Sequence, residues 1–296
     1  MHVHTPSTGL INELMYIFKT IPELRKYLNT RPSAPGFVPT MGALHAGHLS
    51  LIQEASRHHD EVVVSIFVNP TQFNNPSDYA LYPVTQAQDI DLLLQSGATV
   101  LFMPSVEELY PEGLKLAKEY DLGALDSVLE GPKRPGHFQG VCHIVDRFLQ
   151  IVQPHSLYMG EKDFQQCMVI KRMLRLNSSP VQLVICPTLR EESGLAMSSR
   201  NLRLNAEARN KAAILYQCLL DSTTMEADST WNTKQPFWQN EFRKAGLEPE
   251  YLELASADDL QIAHEYHPDS DQVVLVAAWL EGVRLIDNMR VKKPGA

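Results

Sequence analysis

The stretch Gly36-Phe37-Val38-Pro39-Thr40-Met41-Gly42-Ala43-Leu44-His45-Ala46-Gly47-His48-Leu49-Ser50-Leu51-Ile52-Gln53-Glu54-Ala55 decides how the rest of the chain is read. Phe37-Val38 ends a buried strand, Pro39 and Gly42 break it, and Leu49, Leu51, Ile52 and Ala55 trace the apolar face of a helix. His45 and His48 therefore fall where strand gives way to helix. A helix start offers unpaired N–H groups and the positive end of the dipole, which suit a phosphate chain. Glycine lets a ligand approach the backbone, and imidazole can donate to phosphate oxygens. Two histidines at this spacing, with no nearby cysteine or third histidine, make a poor zinc site. Alone they read equally well as structural residues or as part of a metal site. The strand, turn and helix around them tip the reading toward phosphate.

Working outward, Glu61–Val68 is an almost unbroken β-branched run, the pattern of a strand covered on both faces in a parallel sheet. It ends in Asn69-Pro70-Thr71-Gln72-Phe73, a polar loop at a strand's carboxyl end, where open α/β sheets bind ligands. Asn69 and Gln72 read there either as turn residues or as ligand-facing amides. Upstream, Leu14–Phe18 reads as a strand. Thr20-Ile21-Pro22-Glu23 has capping-box spacing and opens a helix to about Leu28. Downstream, helices are expected over Thr85–Ser96, Pro104–Leu109 and Gly140–Val152, and strands over Thr99–Phe102, His155–Met159 and Val181–Cys186. Gly131–Phe138 reads as a Gly/Pro loop with two cations, either a solvated turn or an anion clamp. Gly160-Glu161-Lys162-Asp163 repeats the strand-to-helix theme, with Lys162 as a flexible point charge for phosphate and Asp163 as an N-cap.

Strands alternating with helices up to Cys186 predict an α/β fold, a Rossmann-like doubly wound parallel sheet. Beyond Pro187–Thr188 the character changes. A polar loop, Arg190–Arg200, is followed by a long helix, Asn205–Leu220, and a second from Pro236 to Ala245. Strands are expected at Tyr251–Leu254, Gln272–Trp279 and Val283–Asp287. The expected organisation is a ligand-binding domain over residues 1–187 and a smaller α+β C-terminal lid domain over 188–296.

At 296 residues the chain suits two domains, and its 44% hydrophobic and 21% charged content is that of a globular protein. The net charge of −9 argues against a nucleic-acid surface. No apolar run suits a membrane span, and Met1–Ile11 carries no signal-peptide pattern, so a cytoplasmic protein is expected. Cys142, Cys167, Cys186 and Cys218 lack any Cys-x-x-Cys pairing and read as reduced, buried thiols.

The other informative stretch is Gly194-Leu195-Ala196-Met197-Ser198-Ser199-Arg200-Asn201. Two hydroxyls and a guanidinium on a Gly-containing loop are a phosphate-holding set, though alone they read as a capped turn. With His45, Gly47 and His48 they change meaning. The two stretches resemble the HIGH and KMSKS signatures of the adenylate-forming nucleotidyltransferase superfamily. More narrowly, Leu14–Val291 resembles the pantoate–β-alanine ligase (pantothenate synthetase) family. The matching stretches are Val38–His45, Val64–Phe73, Arg134–Phe138, Gly160–Gln166 and Leu285–Asn288.

That resemblance implies an ATP-dependent condensation of pantoate with β-alanine through pantoyl adenylate, with Mg²⁺ on the phosphates and no protein-built metal site. It implies that Met41, Gly42, Ala43, Leu44, His45, Ala46, Gly47, His48, Gly160, Glu161, Lys162, Asp163, Met197, Ser198, Ser199 and Arg200 hold ATP, with Leu189 touching adenine through its backbone. Gln72 and Gln166 would bind pantoate, with Asn69 alongside and Gln72 also near β-alanine. His48, His45, Lys162 and Arg200 would carry the chemistry. The family also implies a homodimer through the N-terminal domain. One departure is visible: Ser193 stands where many members have Asp before the loop glycine. The rival readings are a nucleotidyltransferase passing AMP or CMP to a phosphorylated acceptor, an aminoacyl-tRNA synthetase, and a nucleotide-binding regulator without chemistry.

Overall fold

Val62, Val63 and Val64 are fully buried, and they bury in opposite directions. Val63 joins a cluster with Phe37, Val100 and Leu157, whereas Val62 and Val64 join one with Val38, Ile52 and Leu101. This is the alternation of a strand covered on both faces. The computed structural model describes residues 15–74, 79–115, 118–223, 231–267 and 269–291. The tail bearing His2 and His4, and residues 228–230 of the Trp-bearing segment, lie outside them. Six strands form one parallel sheet: β1 (Tyr16–Phe18), β2 (Gly36–Thr40), β3 (Val62–Ile66), β4 (Val100–Phe102), β5 (Ser156–Gly160) and β6 (Gln182–Cys186). Their spatial order is β1-β4-β3-β2-β5-β6. The chain builds outward from β2 on one side, then places β5 and β6 on the other. The order thus reverses between β2 and β5, the switch point whose crevice takes ligands in α/β sheets.

Pro39 does not end β2, which runs on to Thr40. Along β2 the N–H of Gly36 and the carbonyl of Thr40 both serve β3, so by alternation Pro39 faces β5, whose pairing with β2 has already stopped at Phe37. The missing N–H therefore costs no ladder bond. Gly131–Phe138 is not a plain loop: Glu130–Lys133 makes one helical turn, and the next helix begins at His137, earlier than expected, and runs to Val152. Thr20 precedes the Ile21–Leu28 helix but does not cap its backbone. Its hydroxyl donates to Glu23 (2.7 Å), and Glu108 accepts from the Ile21 N–H instead (2.7 Å).

The second sheet is antiparallel, in the order β10-β9-β7-β8, from β7 (Glu248–Ser256), β8 (Ile262–Ala263), β9 (Gln272–Leu280) and β10 (Val283–Val291). The two-residue β8 is too short to leave a sequence pattern. Val273 and Leu275 join the core of the parallel sheet, while Val274 and Val276 pack with Leu219, Trp231 and Phe242. The C-terminal unit therefore shares a core with the first. The expected Asn205–Leu220 helix is two, Ala206–Ala212 and Ile214–Thr223. The following helix is described over Trp231–Lys244 and carries Pro236 inside it, upstream of which Trp231 is buried. Among the described residues no helix is long and apolar enough to cross a membrane.

Candidate active site

The Ala46–Ser56 helix starts on a reciprocal cap made by the two histidines. His45 Nδ1 accepts from the Gly47 N–H (3.1 Å), and His48 Nδ1 accepts from the His45 N–H (3.3 Å). A backbone N–H can only donate, so both Nδ1 atoms are unprotonated and both rings carry their proton on Nε2. Burial, then the Lys162 charge, lowers the His45 pKa to about 4; burial, then His45, lowers that of His48 to about 3. Near neutral pH the pair is thus uncharged, with each Nε2–H left as a donor. The ring centroids are 4.1 Å apart. Gly47 is required here, because an added Cβ would lie 2.8 Å from His45 Cε1.

The loop before the helix turns through positive φ at Gly42 (82°) and Ala43 (49°). Asp89 holds it there. Its buried carboxylate accepts from the Ala43 N–H (3.0 Å), the Leu44 N–H (2.8 Å) and the Thr85 hydroxyl (3.2 Å). Nothing in the sequence marked Asp89, which reads as an ordinary acid in the first turn of the Gln86–Leu94 helix. Behind Met41 and Gly42 a cavity of about 210 Å³ extends to Phe67, Thr85 and Val106.

The turn after β5 supplies a cation, Lys162. Lys162 is mostly buried and its Nζ lies 3.4 Å from the Asp163 carboxylate. Desolvation would push the Asp163 pKa up, but Lys162 and Arg200 outweigh it and hold the carboxyl below its usual range. Asp163 occupies the N-cap position without capping, so that expectation fails in favour of the ion pair. An added Cβ on Gly160 would meet nothing within 4 Å, so a ligand can come close to this backbone. Glu161 turns away, accepting from Arg290 Nε (2.8 Å). The turn is held by Asn288 Nδ2, which donates to the carbonyls of Glu161 and Lys162 (2.9 Å each).

The Met197–Arg200 loop closes the other side. Ser199 Oγ donates to the Ala43 carbonyl (3.1 Å), and Met197 Cβ sits 3.6 Å from where a Cβ on Gly47 would be. Ser198 caps the Ser199–Arg203 turn by accepting from the Arg200 N–H (3.3 Å). Gly194 has φ 89°, and an added Cβ would strike Tyr216 at 1.9 Å. At the departing position, Ser193 Oγ accepts from the Leu195 N–H (3.4 Å), so a hydroxyl takes the turn role there. The Leu189 carbonyl is already used by the Met197 N–H (3.0 Å). Arg134, on the turn read as a possible clamp, is drawn down to about 10 by burial and by the Arg200 charge. It makes no ion pair among the described residues, and the Arg200 guanidinium is close enough for its charge to be felt there.

The amides lie next to this cradle. Gln72 is buried, with Nε2 3.0 Å from Met41 Sδ. His137 Nδ1 donates to the Gln72 carbonyl (2.9 Å). The half-buried Gln166 side chain makes no hydrogen bond to another described residue, whereas neighbouring Gln165 is consumed by Leu125, Val128 and Glu130. Asn69 is fully buried, with every side-chain donor and acceptor engaged within the protein.

Neutral imidazole donors at a helix start, a lysine and a Ser-Ser-Arg loop are brought together beside β2 and β5, on the fold of a HIGH/KMSKS nucleotidyltransferase. A family model described as pantoate-beta-alanine ligase matches residues 16–290. The chain belongs to that family. A pantothenate synthetase of Cytophaga hutchinsonii is 42% identical over 283 residues, spanning 93% of this chain and 99% of its own length. The crystal structure of pantothenate synthetase from Thermus thermophilus superposes with a TM-score of 0.87 at 40% identity, covering 94% of this chain and 100% of that one. The pantoate-beta-alanine ligase of Francisella tularensis, complexed with beta-gamma ATP and beta-alanine, gives a TM-score of 0.78 at 37% identity, covering 95% and 99%.

Proposed function

We propose that this chain joins pantoate to β-alanine using ATP, in two steps within the cleft between β2 and β5. The pantoate carboxylate attacks the α-phosphorus and pyrophosphate leaves; the β-alanine amine then attacks the acyl carbon of pantoyl adenylate and AMP leaves. The observation that carries the site reading is the Ser199–Ala43 hydrogen bond, which closes the Ser-Ser-Arg loop onto the histidine loop from 156 positions away. Lys162, Ser198, Ser199 and Arg200 grip the phosphates beyond the α-phosphorus. His45 and His48 donate from Nε2 to oxygens on it as charge builds. Neither imidazole can serve as a base, because its one basic nitrogen is held by a backbone N–H. None is needed in the first step, since a carboxylate carries no proton near pH 7. Catalysis is then positioning and charge stabilisation.

Among the described residues no cluster of three His, Cys, Asp or Glu side chains forms a cation site. The residues fit Mg²⁺ carried on the triphosphate, with Asp163 as the nearby carboxylate, and do not fit a protein-built cage. When bound there, the cation would neutralise phosphate charge. The Leu189 N–H is the remaining backbone group for adenine. Gln72 and Gln166 take the acid. Residues 1–187 would bind nucleotide and pantoate, and 188–296 would supply the lid. A homodimer and a cytoplasmic setting complete the reading; four free, buried cysteines support the latter.

Release of AMP and pyrophosphate, measured with each substrate omitted in turn, tests the function. Activity should need all three; AMP release without β-alanine dependence would reject it. Gln72→Ala should raise the KM for pantoate about tenfold and that for ATP less than about twofold, as for one lost ligand hydrogen bond. Equal rises would reduce Gln72 to loop support.

A further inference from the structure

The orientation of the Gln72 amide is fixed by a chain of hydrogen bonds that starts at Tyr110. The Gly140 carbonyl can only accept, so the Asn69 atom 3.2 Å from it is the amide nitrogen. Asn69 Oδ1 must then face the other way, where the Tyr110 hydroxyl (2.7 Å) and the Thr71 hydroxyl (3.1 Å) donate to it. The second Asn69 N–H points at Gln72, 3.2 Å away, and the atom that receives it is Oε1. Gln72 Nε2 is left to the opposite side, where its one protein neighbour is the weak acceptor Met41 Sδ. One N–H of Gln72 therefore remains unspent, while its oxygen is turned toward Asn69, away from that side.

We infer that Tyr110 is a positioning residue for the acid substrate: through Asn69 it sets the Gln72 amide so that Gln72 can only donate to the ligand. This rests on the reading of Gln72 as a pantoate contact, and it adds which chemistry Gln72 recognises. A donor-only amide reads oxygen lone pairs, on a carboxylate or a hydroxyl, and gives nothing to an ammonium. The Asn69 side chain takes no part in binding itself, since it is fully buried and its amide nitrogen and oxygen are both engaged within the protein. Burial raises the Tyr110 pKa, which keeps the phenol protonated and donating. Close packing supports the same arrangement: an added Cβ on Gly140 would fall 2.4 Å from the Thr71 carbonyl, so the Asn69–Phe73 loop is pressed against the His137–Val152 helix.

A double-mutant cycle separates positioning from general support. Tyr110→Phe removes one hydroxyl and keeps the ring. It is expected to raise the KM for pantoate about fivefold to tenfold and to leave the KM for ATP within about twofold. In a Gln72→Ala background the same change should have no further effect on pantoate. An equal rise in both backgrounds, or a parallel rise in the KM for ATP, would overturn the inference. Asn69→Asp gives a second reading. A carboxylate cannot donate, so the Gln72 amide must turn its NH₂ inward and present oxygen to the substrate. Pantoate KM should then rise about a hundredfold while ATP binding, titrated without the acid, is retained; unchanged pantoate KM would reject the chain of bonds. Absence of turnover in the parent protein would instead reject the proposed function.

Discussion

Replacing His48 by alanine is expected to leave the fold intact and to slow pantoyl adenylate formation by on the order of 10²–10³, the usual loss for a transition-state donor. The structural cost is small, because the substitution removes only the acceptor for the His45 N–H, while the His45–Gly47 cap remains. One such cap is worth about 1 kcal/mol. The kinetic cost is larger, since His48 Nε2–H is a neutral donor in a desolvated site, where each donor counts for more than in water. The pH dependence distinguishes this role from acid catalysis. With a pKa lowered to about 3, His48 is uncharged throughout the working range, and its contribution should be flat from about pH 5 to 9. A histidine acting as a proton donor would instead show activity falling as pH rises through its pKa. Rapid-quench measurement of the first step at several pH values decides the matter. An unchanged first step with only β-alanine attack impaired would sink the assignment.

The parts of this design visible in the sequence are those written in one stretch. Strand, turn and helix from Gly36 to Ala55 announced both the sheet and the turn that carries the two histidines, because period and punctuation are local properties. The strand-to-helix turn at Gly160–Asp163 and the Met197–Arg200 loop were visible for the same reason. Asp89, Asn288 and Tyr110 were not. Each acts on a backbone or amide far along the chain, and an Asp in a helix's first turn or an Asn in a strand has no local signature of such work. Boundaries failed where tertiary packing outweighed propensity, as at Pro236, where burial of Trp231 carries the helix through a proline. The shared core between the two sheets was equally hidden: the alternating faces of β9 are apolar on both sides, and only three dimensions say which neighbour each side has.

Arg190→Met should be the most damaging change outside the substrate contacts. Arg190 donates to both oxygens of Asp287 (2.6 and 3.1 Å), to the Gly194 carbonyl (3.1 Å) and to the Asn288 carbonyl (3.3 Å), and its guanidinium lies over Tyr216. It thereby fastens the Arg190–Arg200 loop to β10, the strand whose Asn288 also holds the Lys162 turn. The Asp287 side chain is 2% exposed. Without its partner that carboxylate is stranded, which typically costs about 3–5 kcal/mol. Burial already raises the Asp287 pKa despite Arg190, and removing the cation must raise it further. The sign follows: the folded variant holds a proton that the unfolded chain gives up above about pH 4, so stability declines as pH climbs toward the folded pKa. Urea unfolding should therefore show a larger deficit at pH 8 than at pH 5. Adding Asp287→Leu removes the stranded charge and should restore most of the stability, because a buried ion pair replaced by apolar groups is often neutral. It should not restore turnover, since the Gly194 and Asn288 carbonyls remain untied and the Ser-Ser-Arg loop loses its anchor to β10. A double variant that recovers both stability and ATP-dependent turnover would show that the pair holds the fold together and nothing more.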